Sequence, residues 1–307
     1  MIGFFILIII SVGIFVSYAT VLPSLEEEVL ISIPEGTSLI RTSKILKEHN
    51  LVRSAPIFRI FAQLQNTSVK AGMYSFQHEQ NINEIILRLD SAQYGNVYRS
   101  VTFPEGLTLD GISEILLKNK FENFDPIQFK ELTHDKEGYL FPDTYQFLPD
   151  DKTELIVQKL MDTFDEKTKE LQESYSGTVS WENIIIMASI LEKEASRNYK
   201  EQQTIAGILW KRINQGIPMQ VDAPFVYARG KGSAELRTAD LRADGPYNTY
   251  TRKGLTPTPI GNPGISSIKA AINPLDSLYF FYLHDTNGGI HYGVTHNDHV
   301  RNKQRYL

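Results

Sequence analysis

The chain has 307 residues, of which 42% are hydrophobic and 11% aromatic, and its formal net charge at pH 7 is −5. This composition supports a folded core and excludes a wholly disordered chain. The slight acidity argues against a dedicated nucleic-acid-binding protein, which would carry a basic surface. Because there is no cysteine, disulfide frameworks, cysteine zinc sites and thiol nucleophiles are also excluded.

The N-terminal segment is strongly apolar. No side chain before Glu26 is charged, and the run from Ile2 to Tyr18 consists almost entirely of aliphatic residues, phenylalanine and glycine. A helix of about 20 residues spans the ~30 Å hydrocarbon core of a bilayer. We therefore predict a transmembrane signal anchor over 1–22 and a linker over 23–29.

Two other interpretations of this segment stay open. Ser17-Tyr18-Ala19 resembles the cleavage site of a signal peptide, although the apolar run exceeds the usual length of about 7–15 residues. A soluble protein with a buried N-terminal helix fits less well, because such a helix would normally have a polar face. No Lys or Arg precedes the segment, so charge alone gives no orientation.

One sequence pattern occurs twice. The first copy begins at Ile31 and the second at Val101, and each contains three alternating residues, Pro-Glu-Gly and a run with helical spacing. Alternation predicts a strand, the glycine supplies turn freedom, and the Thr or Ser that follows is a typical helix cap. The pattern predicts two small α+β modules, or two halves of one.

The remaining chain predicts a mixed α+β fold with a domain boundary between Lys120 and Phe129. Loop-rich stretches with much Gly, Pro, Asn and Tyr are expected over 217–229 and 247–263. Helices are predicted over 55–65, 83–89, 151–172, 181–195, 203–215 and 266–271, strands over 72–76, 277–283 and 290–294, and a strand or loop over 137–147.

Two carboxyls end the most apolar helix predicted outside the N-terminal segment. With Met187 at zero on a helical wheel, Glu194 falls at ~340°, inside the apolar arc, and Glu192 at ~140°, on its edge. Burial raises the pKa of a carboxyl, and a general acid working near neutral pH needs a raised pKa. A solvated, charged helix end is the competing interpretation, and spacing alone does not decide between them.

The same wheel excludes one mechanism. Glu192 and Glu194 lie ~200° apart, so they cannot converge on one bond as the paired carboxylates of an ordinary glycosidase do. Either a second carboxylate comes from elsewhere, with Asp222 and Asp143 as candidates, or a single glutamate performs both proton transfers.

Two polar and aromatic stretches are candidates for the lining of a sugar-binding groove. They are Gln220-Val-Asp222, with Tyr227 downstream, and Tyr247-Asn248-Thr249-Tyr250. Loops pinned by proline and tyrosine are the alternative interpretation.

Four histidines occur late in the chain, at His284, His291, His296 and His299. Their spacing fits no zinc template, so we predict no metal and no cofactor. His296 or His299 is expected to form hydrogen bonds in the groove or the fold. The neighbouring Asn297 and Asp298 predict a polar loop.

In this order, the motifs resemble those of the endolytic murein transglycosylases (the MltG, or YceG-like, family) over nearly the whole chain. The matching segments are Glu137-Gly-Tyr-Leu-Phe-Pro-Asp-Thr-Tyr145, Ala188-Ser-Ile-Leu-Glu-Lys-Glu194, Gln220-Val-Asp222, Tyr247-Asn-Thr-Tyr250, Gly254-Leu-Thr-Pro257 and His296-Asn297. In one departure, Ala223 and Pro224 follow Asp222, where the family often has Pro and then Thr.

The resemblance implies an α+β protein with a transmembrane anchor, a LysM-like region over 30–120 that holds both Pro-Glu-Gly repeats, and a catalytic region over 121–307. The implied location is the bacterial inner membrane, with a single membrane pass and the catalytic region on the extracytoplasmic side. Glu194 is the implied catalytic residue. The expected substrate-binding residues are Glu192, Gln220, Asp222, Tyr247, Asn248, Thr249, Tyr250 and His296.

The implied reaction cleaves the β-1,4 bond from N-acetylmuramic acid to N-acetylglucosamine inside peptidoglycan strands and leaves 1,6-anhydromuramyl ends. Glu194 would protonate the leaving oxygen and then take the proton of the C6 hydroxyl as that oxygen attacks C1. Peptidoglycan strands are the expected substrate, and cell-wall synthases of the penicillin-binding class are expected partners.

Three alternatives remain. The first is a membrane-tethered peptidoglycan-binding module without catalysis that recruits synthases. The second is an ordinary hydrolase that uses Glu194 with Asp222 or another acid and produces reducing muramyl ends. The third is a metal-dependent peptidase that uses the late histidines.

Overall fold

The computed structural model describes residues 28–76, 80–95, 97–230 and 242–307. The predicted anchor over 1–22, the possible cleavage site at Ser17-Tyr18-Ala19 and most of the predicted linker lie outside these ranges. Within them, the helices are too short or too polar to cross a bilayer. The chain divides into two compact units at Arg99 and Ser100.

The first unit packs helices on a two-stranded antiparallel sheet. Strand β1 (Val29–Ile33) pairs with β2 (Gly72–Phe76), and Ile31 lies opposite Tyr74. Three short helices, each capped by the side chain of the residue before it, complete the unit: α1 (Leu39–Glu48), α2 (Ala55–Leu64) and α3 (Ile82–Asp90). The core contains strand residues and the inward faces of the helices, among them Phe58, Phe76 and Ile85.

The second unit combines two small sheets with eight helices in its described part. The strands are β3 (Arg99–Thr102), which pairs with β4 (Thr144–Phe147), and β5 (Phe281–His284), which pairs antiparallel with β6 (Ile290–Gly293). The helices are α4 (Leu109–Lys118), α5 (Pro126–Thr133), α6 (Thr153–Ser174), α7 (Trp181–Glu194), α8 (Tyr199–Asn214), α9 (Ala223–Arg229), α10 (Ile265–Ile272) and α11 (His296–Tyr306).

Helix α7 is the centre of the second unit. Every residue from Ile184 to Leu191 is buried, and α10 packs against both α7 and α8. The helix begins where the side chain of Ser180 accepts the N–H of Asn183. Full burial on all sides explains why a polar face is missing over these residues.

Asn262 connects distant segments of the second unit. Its side chain is buried, accepts the N–H of Leu140 at 2.8 Å and donates to the carbonyl of Leu107 at 2.9 Å. Its main chain exchanges further hydrogen bonds with Gly106 and Leu107, at 2.8 Å each. One amide therefore holds the segment before α4, the segment after α5 and the segment before α10 together.

Most elements predicted from periodicity are confirmed, and the strand over 72–76 has the predicted bounds. Three helices, α5, α9 and α11, are not predicted. The polar loop expected at His296–Asp298 is wrong, because α11 begins there with a capping box between Thr295 and Asp298. Part of the stretch over 217–229 forms α9, and the strand predicted over 277–283 is confined to β5.

Each copy of the repeated pattern forms a strand, a turn and a helix, with Gly36 and Gly106 at φ values of +75° and +76°. The copies nevertheless belong to different compact units, and the division at Arg99 precedes the boundary expected between Lys120 and Phe129. The reason is packing: Val101 and Leu116 share a core with residues of α6. The LysM-like character of the region over 30–120 stays a prediction.

Replacing Asn262 with alanine should lower the free energy of unfolding by about 3 kcal/mol, because the buried Leu140 N–H and Leu107 carbonyl lose their side-chain partner. Urea unfolding at neutral pH measures this effect. Asn214→Ala, at an exposed position on α8, is the control. Equal midpoints for the two variants would contradict the role given to Asn262.

Candidate active-site cleft

The second unit contains an open cleft of about 1800 Å³. Its walls come from the starts of α4 and α11, from α5 and α9, from the end of α7 and from β5. This volume exceeds the ~300–1,000 Å³ typical of a site for one small molecule, so the cleft has room for a segment of a polymer. The lining side chains used below are Glu137, Glu194, Asp222, Tyr227, Tyr250 and Tyr282.

Glu194 is the last residue of α7, and the chain becomes extended at Ala195. Its side chain is partly exposed to the cleft, while its Oε2 accepts a hydrogen bond from the Tyr282 hydroxyl at 2.8 Å. The N–H of Ala223 also bonds to this carboxyl. Glu194 therefore lies on the inward side of α7, as its position on the helical wheel predicts, and its carboxyl is removed from bulk solvent.

Burial raises the pKa of Glu194, and the negative charge of Asp222 raises it further. The bonds from Tyr282 and Ala223 and the charge of His284 act in the opposite direction but do not cancel the effect of burial. The carboxyl therefore holds a proton at higher pH than an exposed glutamate does, and donors stand ready to stabilise it once the proton leaves.

Asp222 lies next to this carboxyl at the start of α9. Its Oδ1 accepts the Tyr250 hydroxyl at 2.5 Å. Burial, the bond to Asp222 and the charge of Glu194 all raise the pKa of Tyr250, so the phenol stays a donor. The structure thus brings Glu194, Asp222 and Tyr250 together at the wall of the cleft.

Gln220 lines the cleft in a left-handed backbone conformation, with φ at +57°. Its N–H donates to the Thr249 carbonyl at 3.0 Å, and its side-chain oxygen accepts a bond from Arg212. The buried guanidinium of Arg212 also donates to the carbonyls of Pro218 at 2.9 Å and Phe280 at 3.0 Å. Arg212 therefore connects the Gln220 loop to the strand that carries Tyr282.

Three of the predicted groove residues support loops instead of lining the cleft. Thr249 is buried and exchanges side-chain hydrogen bonds with the main chain of Val221 at 2.6 and 3.0 Å. Asn248 is buried and donates to the Ala243 carbonyl at 2.7 Å. The Tyr247 hydroxyl pairs with Thr258 at 2.8 Å. The predicted residues that do line the cleft are Gln220, Asp222, Tyr250 and His296.

The structure does not bring Glu192 into the cleft. Its Oε2 accepts the N–H of Gly264 at 2.9 Å, at the start of α10, where no side chain of the helix supplies a cap. The physical reason is its position on the edge of the α7 apolar arc, which faces α10. Asp143, the other candidate second carboxylate, lies outside the cleft with its carboxyl 3.6 Å from Lys167.

Sequence reasoning missed Glu137, a carboxyl of the cleft that is only 8% exposed. It accepts bonds from the Tyr227 hydroxyl at 3.1 Å, the Leu109 N–H at 3.4 Å and the Asn262 amide at 3.4 Å. Burial raises its pKa to about 7. Its hydrogen-bond partners lie far along the chain, so the local spacing around Glu137 carries no signal for its burial.

The late histidines form pairs instead of a cluster. His284 lies 3.0 Å from Glu201 and His291 lies 2.8 Å from Asp285, nitrogen to oxygen. His299 stacks on Phe281 beside the cleft. In the ranges that the structure describes, no three potential metal ligands come together.

A cleft sized for a polymer segment, with the desolvated carboxyls of Glu137 and Glu194 on its wall, defines the class: an α+β protein with an enzyme-like cleft. The YceG-like family model matches residues 31–305, and the chain belongs to that family. The resemblance inferred from the motifs is thereby confirmed.

Relatives and a solved structure agree with this placement. The chain is similar to the endolytic murein transglycosylase of Bacillus subtilis (strain 168), with 30% identity over 90% of this chain and 84% of the relative. It is also similar to that of Streptococcus pneumoniae (strain D39), with 28% identity over 98% of this chain but only 64% of the longer relative. A crystal structure of a YceG-like protein from Listeria monocytogenes matches with a TM-score of 0.57 and 28% identity, over 90% of this chain and 99% of that one.

Glu137→Gln should change the pH dependence of stability. The raised pKa means that the folded protein resists ionisation of Glu137, so the wild type loses stability as pH rises from about 4.5 to about 7. Relative to wild type, the variant should gain on the order of 3 kcal/mol across this window and show no further change above it.

Unfolding curves between pH 4 and pH 8 measure this difference. Glu182→Gln, an exposed change on α7, controls for the loss of one surface carboxylate. If the stability curves of wild type and Glu137→Gln run parallel between pH 4 and pH 8, burial does not raise the pKa of the Glu137 carboxyl.

Proposed function

We propose that this protein is a membrane-anchored endolytic lytic transglycosylase of peptidoglycan. The proposal depends on one observation: the desolvated Glu194 carboxyl, held by Tyr282 and Ala223, lies on the wall of a cleft with room for a glycan segment. The names of the relatives support peptidoglycan as the substrate and transglycosylation as the reaction.

In the proposed reaction, neutral Glu194 donates its proton to the oxygen that links C1 of N-acetylmuramic acid to N-acetylglucosamine, and the C1–O bond breaks. The glutamate is then a carboxylate, stabilised by the Tyr282 hydroxyl and the Ala223 N–H. It takes the proton of the muramyl C6 hydroxyl as that oxygen bonds to C1. The products are a 1,6-anhydromuramyl end and a free hydroxyl, and no water is consumed.

Ordinary hydrolysis is the second candidate, because Asp222 lies close enough to influence the pKa of Glu194. Asp222 would have to activate a water molecule, yet its Oδ1 is already engaged by Tyr250. This engagement favours the single-carboxyl reaction. A non-catalytic binding module, the third candidate, gives no use to the side of Glu194 that is open to the cleft, whereas the buried Glu137 has hydrogen-bond donors on both of its oxygens.

The proposal places the protein in the bacterial inner membrane, with a single membrane pass through the apolar segment over 1–22. The catalytic region then faces the extracytoplasmic side, where the substrate lies. An anchored enzyme that cuts new strands would work beside cell-wall synthases, which we propose as partners.

Glu194→Gln should abolish anhydro-muramyl products from purified sacculi, because an amide cannot donate the proton, while the fold remains intact. Mass spectrometry of the digest measures the products, and circular dichroism checks the fold. Glu182→Gln, which changes an exposed carboxyl on the same helix, should cleave like wild type.

The products also separate the candidate functions. Reducing muramyl ends from the wild type would indicate hydrolysis, and no cleavage by any form of the chain would favour a binding module. Full activity of Glu194→Gln would disprove the assignment of this residue.

Tyr282→Phe should raise the pKa of Glu194, because it removes a donor that favours the carboxylate. The basic limb of the kcat/KM profile, where the acid loses its proton, should therefore move to higher pH by about one unit. Cleavage rates on soluble glycan strands between pH 5 and pH 9 measure this shift. A basic limb at the wild-type position would argue against Glu194 as the titrating acid.

A further inference from the structure

Glu137 is a second carboxyl of the cleft, and the proposed reaction does not use it. All three of its hydrogen-bond partners are donors that reach it from different segments: Tyr227 from α9, Leu109 from the start of α4 and Asn262 from the loop before α10. Because both carboxyl oxygens are occupied, Glu137 is arranged to hold the protein rather than to react with substrate.

The charges around Glu137 oppose one another. The Leu109 N–H belongs to the first turn of α4, where the helix dipole favours a negative charge. Lys193 of α7 also favours the carboxylate, whereas Asp110 of α4 and burial disfavour it. The Tyr227 hydroxyl of α9 stays protonated, because burial and Glu137 both raise its pKa. Tyr227 therefore remains a hydrogen-bond donor to Glu137.

Helix α9 links this bond to the reacting carboxyl. The helix has only 7 residues and no side-chain cap. Its first N–H, from Ala223, points to Glu194, and its Tyr227 side chain, one turn later, points to Glu137. A helix this short has little stability of its own, so its position depends on its tertiary contacts, which are the buried Pro224 and Phe225 together with the bonds of Ala223 and Tyr227.

We propose that Glu137 is a positioning residue for catalysis: by holding Tyr227 it fixes α9, and α9 in turn keeps the Ala223 N–H on the carboxyl of Glu194. This inference rests on the proposed function of Glu194. The Tyr227 ring also contacts the ring of Tyr247, with 5.5 Å between the ring centroids. Glu137 thus acts through the main chain and needs no contact with substrate.

The test uses Tyr227→Phe, Glu137→Ala and the double variant, assayed for kcat and KM on soluble glycan strands with the full chain. Each single change should lower kcat about five- to tenfold and alter KM less than twofold. The double variant should be no more than about twofold slower than the slower single variant, because both changes remove the same bond. Glu137→Gln retains an oxygen that accepts from Tyr227 and should recover most of kcat.

The pH profile separates positioning from a merely structural role. Losing the Ala223 donor favours the neutral form of Glu194, so Tyr227→Phe should shift the basic limb of the kcat/KM profile upward, in the direction of Tyr282→Phe. Tyr145→Phe is the matched control. It removes a buried hydroxyl that donates to the Phe141 carbonyl at 2.7 Å, away from the cleft, and should leave the profile in place.

A wild-type kcat and profile for Tyr227→Phe, or additive losses in the double variant, would overturn the proposal. If Glu137→Ala does not fold, Tyr227→Phe and Glu137→Gln still decide the question. The outcome for Glu194→Gln is independent: an inactive Glu194→Gln with an unaffected Tyr227→Phe refutes only the positioning role. An active Glu194→Gln refutes the catalytic assignment itself.

Discussion

Helix α7 is buried over eight consecutive residues and ends on a carboxyl, and the cleft of the second unit depends on this ending. In the last turn Lys193 is exposed, whereas the carboxyl of Glu194 lies on the buried side of the helix, where water solvates a charge poorly. A carboxylate there is costly unless donors compensate. Tyr282 and Ala223 supply that compensation only in part, so the carboxyl of Glu194 keeps its proton more strongly than usual and remains able to release it.

The surrounding loops serve mainly to place those donors. Arg212 connects the loop of Gln220 to the strand of Tyr282, and Thr249 fixes the backbone just before Asp222. These side chains are buried and satisfied, which makes them supports rather than ligands for a glycan. Because these buried side chains are themselves fixed by hydrogen bonds, they hold the donors to Glu194 in one position.

Two carboxyls of the cleft share a raised pKa but differ in their surroundings. Glu194 is open to the cleft on one side, whereas both oxygens of Glu137 are taken by donors. The same physical cause, burial, therefore suits one residue to proton transfer and the other to holding a helix. Charge and exposure together, not the pKa alone, distinguish the two roles.

The sequence by itself determined the mixed α+β class, most helices and strands, the family and the inward direction of Glu194, because periodicity and motif order are local properties of the chain. Tertiary structure alone decided that Glu192 caps α10, that Asn248 and Thr249 support loops, and that Glu137 and Tyr282 belong to the site. Each of these depends on partners distant in sequence, and helical spacing carries no information about which distant N–H or hydroxyl a side chain will meet. Helix α9 escaped prediction for a related reason: its 7 residues are too few to show a helical pattern, and tertiary contacts, among them the buried Pro224 and Phe225, hold it in place.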